Sequence, residues 1–236
     1  MQSALITGGA KRIGRQISLA LADRGYTIAL HYNTSEEEAK SLEKEIRIKK
    51  RNCILLQADL NDEDQAEKLV SKAIKDIGVI DLIINNASVF ERNTFPETTR
   101  DIFNRHLNVN FKAPFFISQA YASQTTRGHI INILDTKITK LSKYYFSYTL
   151  TKKMLYEFTR MAAKELAPHI RVNGICPGLI MPEETMKQSM LESLIKKTPL
   201  KQKGGVAYIV SAVNFLLDNE FITGDVIFVD GGRHLT

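Results

Sequence analysis

Short apolar runs alternate with longer amphipathic stretches along the whole chain. The short runs, rich in Ile, Val and Leu and bounded by turn residues, predict strands over residues 4–7, 27–31, 53–57, 82–85, 129–133, 171–176 and 226–229. The longer ones repeat apolar positions at helical spacing and predict helices over residues 13–24, 36–50, 62–77, 100–123, 147–166 and 206–217. In the first of these Ile13, Ile17, Ala20 and Leu21 share one face. Ser35 with Glu38 reads as a capping box for the second helix, and Asn61 as the cap of the third. The alternation predicts an α/β, Rossmann-like, doubly wound fold: a seven-stranded parallel sheet with helices on both faces. Ligands of such sheets bind beyond the carboxyl ends of the strands, so the residues that follow each strand carry the functional reading.

Composition narrows the picture. The 236 residues, 44% of them hydrophobic, suffice for one core and show no linker or shift in composition, so a single domain over residues 1–236 is expected. The apolar runs are shorter than the roughly 20 residues of a membrane span, and the first strand follows Met1 too closely for a signal peptide, which points to the cytoplasm. Cys53 and Cys176 lie in apolar runs, as buried thiols do, and no metal-ligand spacing occurs. Many of the basic residues behind the net charge of +6 lie between Lys40 and Arg51, interleaved with Glu43 and Glu45 as on a solvated helix face. That distribution gives no support for nucleic-acid binding, while the positive field suits a phosphorylated cofactor or an anionic substrate.

Candidate chemistry begins at Thr7-Gly8-Gly9-Ala10-Lys11-Arg12-Ile13-Gly14. A chain passing from a strand through glycines into a helix gathers free backbone N–H groups and a helix N-terminus at one point, which suits a pyrophosphate, although glycine turns also serve structure alone. About 20 residues on, where an NAD-binding protein offers an acid to the ribose, stand His31, Tyr32, Asn33, Thr34 and Ser35, with no acid before Glu36. Arg12 together with Asn33, Thr34 and Ser35 suits a 2′-phosphate; Arg12 also fits an ordinary solvated arginine, and His31 fits strand-end packing. Asp59 and Leu60 follow the third strand, and Asn86, Ala87, Ser88 and Phe90 the fourth. Phe90 fits either a core residue or a stacking platform for a flat ring. Tyr148 and Lys152 share a helix face one turn apart, where the ammonium favours phenolate and lowers the Tyr148 pKa toward the range of a working proton donor. Asp135 ends the fifth strand and reads either as a cap of loose backbone donors or as a substrate-facing acid, and Asn110 lies in the preceding helix.

Taken jointly, Thr7-Gly8…Gly14, Asn85-Asn86-Ala87, Asn110, Tyr148-x-x-x-Lys152 and Pro177-Gly178 resemble the short-chain dehydrogenase/reductase family over nearly the full length. The resemblance implies that Tyr148 donates a proton, that Lys152 binds the nicotinamide ribose and tunes Tyr148, and that Asn110 holds a water leading from Lys152 to solvent. It implies a cofactor held by Gly8, Ile13, Gly14, Asn86, Ala87, Pro177 and Gly178 as well as by the residues after the second and third strands. Three positions depart from the family pattern: Arg12 stands at the usual middle glycine, Asp135 at the usual catalytic serine, and Pro182 where many members have threonine. Arg12 and Asp135, with Asn86-Ala87-Ser88-x-Phe90 and His31-Tyr32, look like the pteridine reductases, and the ending Asp230-Gly231-Gly232-Arg233-His234-Leu235 is similar to the bacterial dihydromonapterin reductases, also described as alternative dihydrofolate reductases. This implies NADPH as cofactor and a pterin or folate stacked on Phe90, with Arg12, Ser88, Asp135, Tyr148 and Leu179 around it. The expected reaction takes a dihydropterin to its tetrahydro form, hydride adding to C6 and a proton to N5. A carbonyl reductase acting on 3-oxoacyl carrier-protein substrates shares Asn110, Tyr148 and Lys152 but gives no reason for Asp135, and an inactive NADP-sensing protein would not need Tyr148 and Lys152 intact. Family resemblance also implies a homotetramer, built partly on Phe111, Phe115, Phe116, Leu155 and Phe158.

Overall fold

The computed structural model describes residues 2–182 and 186–236. Parallel strands that are buried on both faces send alternate side chains into two separate cores, and this alternation organises the molecule. Strands β1 (Ser3–Ile6), β2 (Thr27–Tyr32), β3 (Cys53–Gln57), β4 (Leu82–Asn85), β5 (Gly128–Ile133), β6 (Ile170–Pro177) and β7 (Val226–Val229) form one sheet in the order β3-β2-β1-β4-β5-β6-β7. All of its neighbouring pairs are parallel. Ala4, Ile6, Ile28, Leu30, Leu82 and Ile84 point to one face, where they meet Ile17 and Leu21 of α1 (Arg12–Asp23), Leu42 and Ile46 of α2 (Glu36–Ile48) and Ile209 and Val213 of α8 (Val206–Asp218). Leu5, Ala29, Ile83 and Ile130 point to the other, against Leu69 of α3 (Glu63–Ile77), Ile117 of α5 (Ala113–Ala122) and Ala162 of α6 (Phe146–Leu166). The order reverses direction between β1 and β4, so the carboxyl ends of these strands diverge and leave a crevice there.

Four local expectations are corrected. Ser35 makes no side-chain cap; Glu38 turns instead to Lys11, with Oε1 2.5 Å from its Nζ. Asp62 rather than Asn61 caps α3, its Oδ1 accepting from the Gln65 N–H at 3.2 Å. Residues 100–123 are not one continuous α-helix: α4 (Arg100–Leu107) gives way to a π-helical turn over Asn108–Lys112 before α5. Pro114 supplies a reason, since it has no N–H for the carbonyl of Asn110 four residues earlier. A further helix, α7 (Gln188–Lys197), forms where the apolar pattern was assigned no element. None of its residues is buried, yet Met190, Leu191, Leu194 and Ile195 recur at helical spacing, so a short apolar stripe was there to be read.

Candidate active site

A cavity of about 680 Å³ opens along the carboxyl ends of β1, β2, β4, β5 and β6. At its closed end the turn after β1 is fastened from three sides. The Gly8 N–H donates to Nδ1 of His31 at 3.0 Å, and the opposite ring nitrogen of His31 donates to the Ala58 carbonyl at 3.1 Å. Burial holds His31 down to about 4, so the ring is neutral and can accept on one side while donating on the other. The Asn86 amide donates to the carbonyls of Thr7 and Gly8 at 2.9 and 3.0 Å, while the Thr7 hydroxyl accepts from the N–H groups of Asn86 and Ala87, both at 3.0 Å. A Cβ at position 14 would collide with the Gly8 carbonyl, which accounts for that glycine. The N-terminus of α1 has no side-chain cap and no acid in its first turn, so its free N–H groups are left for an anion.

Arg12 takes φ 51°, the left-handed region that the glycine usual at this position enters freely. Its guanidinium donates to the Met181 carbonyl across the cavity rather than turning toward Asn33, Thr34 and Ser35. Arg12 nonetheless lines the same cavity as those three residues. A second cation in the cavity wall, tied to Glu38, is Lys11, which sequence reading passed over although it heads α1. Asp59 sits at the same end, its Oδ1 accepting from the Asn33 side-chain amide at 3.2 Å and the Asn61 N–H at 3.0 Å.

At the other end Tyr148 Oη donates to Asp135 Oδ2 at 2.8 Å, and Asp135 Oδ1 accepts from the Lys137 N–H at 2.7 Å. Oδ1 thus caps a backbone donor, while Oδ2 is held by Tyr148 at the cavity. Lys152 donates to the Ile133 carbonyl at 2.8 Å, and its ammonium lies 5.8 Å from the centre of the Tyr148 ring. The expected lowering of the Tyr148 pKa is overturned: burial, then the charge of Asp135, drive it well above the usual phenol value, while burial takes Lys152 down to about 8. Asn110 is wholly buried and does not reach the cavity. Its Oδ1 accepts from the Ser88 hydroxyl at 3.0 Å and the Val89 N–H at 2.8 Å, and its Nδ2 donates to the Val89 carbonyl at 3.0 Å and Thr151 Oγ1 at 3.3 Å. These four bonds fix the loop that carries Phe90.

Phe90 is 40% exposed and stands on edge against Tyr148, centroids 4.6 Å apart. Tyr145, at φ 59° on the N-terminal boundary of α6, stacks on Phe90 at 4.3 Å and 10°, a contact that no sequence pattern announced. Gly8, Arg12, Ile13, Gly14, His31, Tyr32, Asn33, Thr34, Ser35, Asp59 and Leu60 line the cavity on one side, and Asn86, Ala87, Ser88, Phe90, Asp135, Tyr148, Lys152, Pro177, Gly178 and Leu179 on the other. Among the described residues there is no cluster that could hold a metal ion and no helix long and apolar enough to cross a membrane.

A glycine-rich turn at a topological switch point, facing a Tyr-x-x-x-Lys pair across one cavity, defines an oxidoreductase architecture, and comparison with known proteins agrees. The family model described as enoyl-(acyl carrier protein) reductase matches residues 8–234. The chain belongs to the short-chain dehydrogenase/reductase family. It is similar to the solved structure of FolM alternative dihydrofolate reductase 1 from Brucella canis complexed with NADP, at 34% identity and a TM-score of 0.93, covering 100% of this chain and 95% of that one. It is 32% identical to pteridine reductase 1 of Leishmania tarentolae, over 99% of this chain and 96% of that protein. It is 30% identical to the 3-oxoacyl-[acyl-carrier-protein] reductase FabG of Staphylococcus aureus, over 99% and 98%.

Proposed function

We propose that this protein is an NADPH-dependent reductase of dihydropterins. The observation that carries the reading is the 2.8 Å hydrogen bond from Tyr148 to Asp135 beside the exposed, edge-on ring of Phe90. A carbonyl reductase needs a hydroxyl or another donor beside its tyrosine to polarise the substrate oxygen; a carboxylate cannot do that. A flat heterocycle needs an aromatic face to lie on and a proton delivered to a ring nitrogen, and Phe90 with the Tyr148–Asp135 pair offers both. Similarity to the Brucella canis and Leishmania tarentolae proteins supports the same substrate class. The Staphylococcus aureus likeness favours the carbonyl reading, which Asp135 disfavours.

The cavity fits a dinucleotide: uncapped N–H groups of α1 for the pyrophosphate, Lys11 with Ser35 for a 2′-phosphate, and no acid in the segment Asn33-Thr34-Ser35 between β2 and α2 to repel it. Gly8, Gly14, Asn86, Pro177 and Gly178 would hold the cofactor, which when bound supplies hydride. The chain's own part is positioning and proton supply. Because Tyr148 is held far above neutral pH, it remains a phenol with a proton to give as charge builds on the substrate nitrogen. Asp135 orients that proton through its 2.8 Å bond. Lys152, mostly protonated at pH 7, offsets the negative charge of Asp135 from beneath the pair. A homotetramer resting on Phe111, Phe115, Phe116 and Phe158 accompanies this proposal; a monomer in sedimentation at micromolar concentration would contradict that part alone.

The test follows NADPH absorbance with dihydrobiopterin, dihydromonapterin, dihydrofolate and an acetoacetyl thioester in turn. Oxidation with a dihydropterin is expected, and Asp135→Asn should lower turnover about 10²-fold or more while NADPH binding is retained. Asp135→Ser should be poor as well. Turnover of the thioester alone, or full pterin activity in either variant, would refute the reading.

A further inference from the structure

We propose that Arg233 and Lys137 form an anion-binding rim at the substrate end of the cavity, one that selects pterins whose side chain carries carboxylates over those with a neutral side chain. The inference rests on the proposed pterin reduction and deepens it. Both residues line the cavity, and both are partly buried.

Arg233 is held in place rather than trailing in solvent. The buried carboxylate of Asp230 accepts from the Gly232 N–H at 2.9 Å, the His234 N–H at 2.7 Å and His234 Nδ1 at 2.9 Å. Gly231 and Gly232 take φ 65° and 85°, which turns the chain back within two residues, and the His234 ring stacks on Phe228 at 4.3 Å. The Thr139 hydroxyl then donates to the His234 carbonyl at 3.3 Å, pinning this segment to the single turn (Thr136–Thr139) that follows Asp135. Lys137 belongs to that turn, with its ammonium 5.1 Å from the Tyr145 ring and 5.9 Å from that of Phe90. Lys140 beside them is held below its usual pKa by burial and then by the charges of Arg233 and Lys137, as expected if these cations crowd one place.

Among the described residues neither Arg233 nor Lys137 has an acid within 4.0 Å, whereas Arg105, also on the cavity wall, is taken up by Glu91 at 2.8 Å. Two partly buried cations with no acid partner among the described residues, next to an aromatic platform, are disposed to receive an anion on the far end of a stacked ligand. A hydroxylated, uncharged side chain would gain little from them.

The full-length protein with saturating NADPH is assayed on 7,8-dihydrofolate, which bears two carboxylates, and on 7,8-dihydrobiopterin, which bears none. Arg233→Ala should raise the KM for dihydrofolate about tenfold more than that for dihydrobiopterin, with kcat for both changed only a few fold, and Arg233→Lys should recover part of the loss. Lys137→Ala should act in the same direction, and raising ionic strength should weaken dihydrofolate selectively in the wild type. If Arg233→Ala does not fold, Lys137→Ala and the salt series decide. Equal shifts for both substrates, or none while both are turned over, would overturn the rim and leave pterin reduction standing. Turnover of neither substrate by the wild type would refute pterin reduction and the rim together.

Discussion

At the turn between β1 and α1 the chain binds itself tightly: Gly8 to His31, Asn86 to Thr7 and Gly8, and Gly14 packed where a methyl group has no room. Around Phe90 the construction is different. Its ring is open to solvent, its stacking partner Tyr145 sits in a left-handed backbone conformation, and the facing wall carries Met181, Met186 and Met190. Buried, satisfied hydrogen bonds specify one geometry, whereas aromatic faces and methionines make contacts that can be exchanged at little cost. Recognition of the shared part of a ligand is therefore built in advance, and discrimination among substrates falls to the adjustable end.

The sharpest way to break this contrast is Gly14→Ala. A methyl group against the Gly8 carbonyl and the Asn86 amide must push the turn apart, so NADPH affinity should fall about 100-fold or more, with lowered thermal stability, read by fluorescence titration and melting. An alanine variant binding NADPH normally would show the turn to be as adjustable as the substrate end. Next comes the pair Lys11→Ala and Arg12→Ala. Loss of one charge-assisted phosphate contact costs about 1.5–3 kcal/mol, so Lys11→Ala should weaken NADPH more than tenfold and leave NADH little changed. Arg12→Ala should act mainly on substrate KM, because its guanidinium reaches Met181. The reverse pattern in cofactor titrations would move the 2′-phosphate contact back to Arg12. At the adjustable end, Phe90→Leu should raise the KM for dihydropterin by about three- to tenfold through lost stacking and leave NADPH binding intact.

A separate effect, outside the site, concerns acid stability. Burial lowers His129 from 6.5 to about 3 and His31 to about 4, and both rings are locked in place, His129 by Arg171 at 3.1 Å and Asn173 at 3.0 Å. As pH falls below 6.5 the unfolded chain takes up protons that the folded protein refuses, so stability should decline between pH 6.5 and 4. Denaturant midpoints measured across this range should fall less steeply for His129→Asn, after allowance for its lower plateau. A slope identical to wild type would remove His129 as a contributor.

Much of this protein is decided by sequence alone. The apolar runs mark all seven strands to within a residue or two, because a strand buried on both faces has to be apolar along its length. Gly8, Gly14, Tyr148 and Lys152 are legible because their spacing encodes a local geometry, a turn or one helical step. Tertiary structure decided what depends on neighbours distant in the chain. Arg12 donates to the Met181 carbonyl, a partner supplied by a segment 169 residues away. The Tyr148 pKa rises because enclosure by the sheet outweighs an ammonium that turns to Ile133 instead. Helix α7 has only a short stripe of Met190, Leu191, Leu194 and Ile195 and buries none of it, and the stack of Tyr145 on Phe90 joins a strand-end loop to a helix start. Local spacing fixes backbone geometry through sterics and hydrogen bonds within a few residues, but the direction of a charge and the cost of burying it depend on which segments the fold brings together.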